Sequence, residues 1–195
     1  QAYLKATYTC DGSSMTWQLM ILIYPHVPVM RQTLRFRRAA GSAHTSLARS
    51  GQSSVVELAA DDNNRTVVPL PDDYIDAFAL NELHCTWRVT ELRDVTDVNN
   101  NLVREESGML CFEERRTSGN ILTIRKTESS CGLTILKEGP TAYSHFHYPG
   151  ADFQLVNQHV FVTGGGLCEA DLLDDEEMAA YGSTIGLWQG GEYES

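Results

Sequence analysis

Two histidines two residues apart, His145 and His147, followed by Asp152 and His159, are the side chains of this chain best suited to chemistry. On a strand, residues two apart share a face, so both imidazoles would offer nitrogen to one first-row transition metal. Asp152 would add the carboxylate, and the expected metal set is His145, His147 and Asp152. The neighbours argue for something plainer. Tyr143, Phe146 and Tyr148 make the segment aromatic, and Pro149-Gly150 breaks it early, which describes a loop packed over a sheet.

Other constellations are thinner. Gly164-Gly165-Gly166 lacks the Lys-Ser/Thr that completes a phosphate loop, so it reads as a turn. The acidic run Asp171–Glu177 lacks the alternating ligands and central glycine of a calcium loop and reads as a solvated helix start. Arg31, Arg35, Arg37 and Arg38 form the basic concentration, with the first three on one strand parity. They are candidates for nucleic acid or for a neighbouring chain's acids, against the blander reading of a sheet edge kept charged. Asn64-Arg65-Thr66 is a glycosylation triplet at Asn64. No Gly-x-Ser-x-Gly elbow is present, so enzyme readings rest on His145 and His147.

These residues must be positioned by strands. Cys85, Trp87 and Val89 alternate with Thr86, Arg88 and Thr90, and a turn at Asp97–Asn101 precedes the apolar Gly108–Phe112. Met15–Tyr24 is apolar on both faces and is expected in a sheet interior, stopped by Pro25 and Pro28. Further strands are expected at Tyr3–Cys10, Val29–Arg38, Val55–Ala59, Ile121–Arg125, Leu133–Leu136 and Phe153–Val162. Ile75, Phe78, Ala79 and Leu83 fall at helical spacing after Pro71, which predicts a short helix over Pro71–Leu83. The Asp174/Glu177 pair and Gly182 predict a second, followed by a Gly-rich tail. The expected fold is an all-β antiparallel sandwich, leading with a jelly roll, with two short helices in its connections. Residues 1–195 read as one domain, expected to be the ordered part of a longer chain because residue 1 is Gln.

Composition narrows the functions. A net charge of -11 excludes a phosphate-gripping surface for this segment as a whole. With 42% hydrophobic residues the chain can build a core without disulfides. Its five cysteines are odd in number and never closely paired, which fits buried free thiols rather than a zinc site or disulfide framework. No run of about 18 apolar residues is present to span a membrane.

Two resemblances follow. Gly139, five residues, then His145-Phe146-His147 resembles the first motif of the cupins, which implies an iron- or manganese-type site. Here the usual Glu is at best Asp152, and no His or Pro follows His159 to supply a second motif. The order of elements more broadly resembles the jelly-roll shell domain of nodavirus- and tombusvirus-like capsid proteins. The matching stretches are the 71–83 helix, Thr86-Trp87-Arg88-Val89-Thr90, the polar Thr96–Asn101 and the Gly-led Gly108–Phe112. That resemblance implies self-assembly into an icosahedral virion formed in the host cytoplasm, without catalysis. Its implied partners are copies of itself, genomic RNA held by a basic arm outside this segment, and a host receptor, with calcium as a cation at subunit contacts. The alternatives are an extracellular or viral-surface recognition module, lectin-like or spike-like, and the cupin-like metalloenzyme.

Overall fold

A computed structural model describes residues 2–9, 15–38, 55–57, 67–69, 74–80, 84–92, 103–141, 151–163 and 176–190. Strand alternation organises all of it, and no helix occurs among the described residues. The strands are β1 (Ala2–Thr9), β2 (Met15–Ile23), β3 (Val29–Arg38), β4 (Val55–Glu57), β5 (Val67–Pro69), β6 (Tyr74–Ala79), β7 (Cys85–Leu92), β8 (Val103–Met109), β9 (Arg115–Thr117) and β10 (Ile121–Lys126). The remainder are β11 (Cys131–Lys137), β12 (Phe153–Val156), β13 (His159–Thr163), β14 (Glu177–Ala179) and β15 (Ser183–Gln189).

Every pairing is antiparallel. The larger sheet runs β1-β2-β3-β15-β11-β10-β7-β8, with β14 alongside β3, and the smaller runs β6-β13-β12-β9. The two face each other as a β-sandwich. Trp87, Val89, Leu122, Ile124, Ile135 and Ile185 from one sheet form a single core with Phe153, Leu155, Val160 and Val162 from the other. The register explains the grouping. Val89 opposes Leu122, Leu122 opposes Ile135 and Ile135 opposes Ile185, so one row of apolar side chains crosses four strands. The alternation around Trp87 is borne out, since Cys85, Trp87, Val89 and Glu91 are buried while Thr86, Arg88 and Thr90 are half-exposed. As expected, β2 lies between two neighbours.

Several expectations are corrected. Tyr74–Ala79 is strand β6, paired with β13 from His159↔Ala79 to Thr163↔Tyr74, where a helix was expected. Glu177–Ala179 is strand β14 on β3, and the expected Gly-rich tail contains β15. In both places a hydrogen-bonded partner strand outweighs a short helical pattern, since helices of up to about 12–15 residues are marginal on their own. Phe153–Val162 is a hairpin rather than one strand, turned at Asn157 in the left-handed region (φ 54) that Asn tolerates. The strand near Gly108 starts at Val103 and ends at Met109. The all-β antiparallel sandwich is as expected, and the described pairings draw sheets of nine, four and two strands.

Candidate functional site

Of the expected metal set, only Asp152 lies among the described residues. His145 and His147 lie outside them, as does Asn64. Asp152 is fully enclosed between the sheets, where it forms an ion pair with Lys137, itself enclosed, and its Oδ2 accepts from the Gly119 N–H at 2.8 Å. Its backbone is fixed as well, donating to Thr117 O at 3.0 Å and accepting from the Thr163 N–H at 2.9 Å. The carboxylate expected as a metal ligand is thus committed to holding β11 against the β12 end. No cluster of three or more His, Cys, Asp or Glu suited to a metal occurs among the described residues.

Two of the four arginines, Arg31 and Arg35, are committed within the chain. Strand β3 is not an edge, because β2 and the β14/β15 pair flank it. Arg31 makes two bonds of 2.6 Å to the Glu138 carboxylate, which also accepts from Thr184 Oγ1 at 2.8 Å. Arg35 bonds Glu177 at 2.6 Å. Arg37 is exposed, and the side chain of Arg38 lies outside the described residues. These pairs clamp β3 to its neighbours. The Arg31 bond holds the Glu138 carboxyl below its ordinary 4.5, and Arg115 does the same for Glu106, aided by Thr117. A depressed carboxyl contributes stability that is complete above the unfolded value and is lost as pH falls through the folded one. Arg31 is nearly half exposed, so Glu138→Gln should cost under about 1 kcal/mol at pH 7. That difference should vanish below about pH 4 in urea titrations of the two proteins.

Buried polarity elsewhere is structural. Glu91 and Ser183 share the row of Lys137, joined through Asn120, whose carbonyl accepts from the Lys137 N–H at 2.8 Å and whose Oδ1 accepts from the Leu92 N–H at 2.9 Å. On the far face of the small sheet, Gln154 is buried with neither amide atom hydrogen-bonded. Beside it the His159 ring stacks on Phe161 at 6.3 Å, and burial pushes the imidazole's pKa below its ordinary value.

The open feature is a cleft of about 610 Å³ at one end of the sandwich, where the sheets part. Cys85, Ile124, Leu133 and Leu187 line the large sheet's side, and Ala79 and Leu80 close it where β6 ends. Leu80 is tied there by its N–H to Gln158 O at 2.6 Å. Lys126, Cys131 and Gln189 bring the polar groups. Apolar surface continues outward. Leu187, whose N–H bonds Pro28 O at 2.9 Å, is 60% exposed, Val27 is 51% exposed and Ile23 is 49% exposed. Among the described residues, inner-face side chains of the larger sheet line this cleft. The set did not stand out in the sequence as a group, because six separate segments supply it. The alternation Ser183, Ile185, Leu187 against Thr184, Gly186, Trp188 was the available signal.

No protein-family model matches this chain, and no curated protein sequence does. Solved structures do. The α-galactosidase of Lactobacillus brevis superposes with a TM-score of 0.57 over 97% of this chain and 23% of its own, at 10% identity. The GH36 α-galactosidase AgaA of Geobacillus stearothermophilus gives 0.56 over 97% and 24%, at 9% identity. The galactosidase domain of the α-galactosidase-sucrose kinase AgaSK gives 0.55 over 95% and 24%, at 6% identity. What is shared at such identity is the fold, and this chain spans about a quarter of the length of those structures. The expected capsid shell is thereby overturned. Its motifs fall on a packed strand pair: Trp87 and Gly108 are register partners, and the indole lies in the space a Gly108 side chain would take.

Proposed function

We propose that this chain is a non-catalytic β-sandwich module of a carbohydrate-active protein, standing beside a separate catalytic unit. The observation that carries the reading is coverage: nearly the whole chain follows one quarter of α-galactosidases, as a module does. The placement of carboxylates supports it. Glycoside hydrolysis ordinarily uses two carboxyl groups facing an open site. Here Asp152 and Glu91 are enclosed in the sandwich, while Glu138 and Glu106 are bonded to arginines. Among the described residues, the cleft lining contains no carboxylate.

The test is hydrolysis of a panel of aryl glycosides, α-galactosides first, by this chain alone and by the protein at its natural length. The expected result is turnover by the natural protein and none by the chain alone. Turnover by the chain alone, or by neither preparation, would overturn the proposal.

A further inference from the structure

We infer that the folded chain closes a covalent amide between the side chains of Lys137 and Asp152, with loss of one water.

The two groups are set for it. Lys137 ends β11 in the large sheet, Asp152 leads into β12 in the small one, and both side chains are enclosed. Nζ and Oδ1 are in direct contact, so the attacking nitrogen lies against the carboxyl group. The second oxygen, Oδ2, accepts from the Gly119 N–H at 2.8 Å, the position of a donor to an oxyanion. That donor is fixed, because Gly119 lies so close to Val89 and the Thr90 backbone that a Cβ there would overlap both. Asp152 is fixed as well, through its own N–H and C=O to Thr117 and Thr163. Groups held in contact this way react as if at very high concentration.

Burial gives the reaction its direction. An enclosed ammonium and carboxylate each carry a desolvation cost that their attraction only partly offsets, whereas an amide is neutral. The step balances without a co-reactant. One Nζ proton passes to Oδ1, the lone pair it leaves attacks Cγ, and negative charge collects on Oδ2 opposite Gly119. The Cγ–Oδ1 bond then breaks, and Oδ1 departs as water with a second Nζ proton. The third proton stays on the amide nitrogen, and Oδ2 becomes the carbonyl oxygen. The bond straps β11 to the start of β12, so the unfolded chain keeps a closed loop between residues 137 and 152. Folding precedes bonding, so freshly refolded chain carries the ionic pair.

The experiment is intact mass followed by peptide mapping, on the protein at its natural length. Wild type and Lys137→Arg are kept in urea from lysis onward, and half of each is then refolded. Arginine keeps a cation beside Asp152 but does not condense with it. Refolded wild type is expected to lose one water with time and to yield a branched peptide joining Lys137 to Asp152. Wild type left in urea, and Lys137→Arg in both conditions, should keep full mass. Refolded wild type that stays at full mass would overturn the inference. So would water loss that maps to a main-chain imide at an aspartate, or a branch ending at Glu91, enclosed on the inner face across Asn120. Equal water loss in urea would also overturn it, because the fold would then not be performing the chemistry. If Lys137→Arg fails to refold, the branched peptide of wild type decides the matter alone.

Discussion

Lys137→Met destabilises the chain by about 3–5 kcal/mol, seen as a lowered urea midpoint with an unchanged slope. The lysine and Asp152 are both enclosed, so removing the ammonium leaves a carboxylate without its counter-charge and without water to replace it. The pair itself is not expected to be worth that amount. Its attraction offsets a desolvation cost of several kcal/mol per ion, so the double variant Lys137→Met/Asp152→Asn should recover more than half the loss. In that protein the asparagine oxygen still accepts from the Gly119 N–H. A double variant as unstable as the single one would show that something other than the stranded charge sets the cost.

Trp87→Ala comes next, with an expected loss of about 3–5 kcal/mol in the same titration. The indole fills the core between β7 and β8, and its Nε1–H donates to Met109 O at 3.2 Å. It fits because Gly108 opposite has no side chain; a Cβ there would stand 2.9 Å from Trp87 Cζ2. Trp87→Phe keeps much of the volume and loses the bond, so it should cost about half as much or less. A comparable loss from Phe would place the stability in the hydrogen bond rather than in the volume.

The difference between what could be read and what could not has a physical basis. Around Trp87 the alternation and the β-branched content act in one direction, and the local pattern suffices for β7 although its partner begins earlier than expected, at Val103. At Tyr74–Ala79 and Glu177–Ala179 the local pattern points to helix, and the outcome depends on β13 and β3, which lie far away in sequence. The candidate site is of this second kind throughout. Its lining runs from Pro28 through Leu80, Cys85 and Ile124 to Leu187. Asp152 is the instructive case: the residue stood out in the sequence, while its ion pair with Lys137 did not. Nothing in the spacing of two residues on different strands announces that they will share a dry interior.

The position of β15 also governs the order in which the molecule can be made. It lies between β3 and β11, so the first three strands join the rest of the large sheet through a segment far along the sequence. Until Ser183 meets Gln32 on one side and Lys137 on the other, the β1-β2-β3 meander has an unsealed flank with arginines along it. A ribosome-bound chain lacking those residues therefore holds two half-built layers, and closure waits for two segments distant in sequence to meet. Such long-range closure makes for slow folding and a vulnerable nascent state. It also makes the strand a natural point for reconstitution, in which a peptide supplied separately would complete the sandwich.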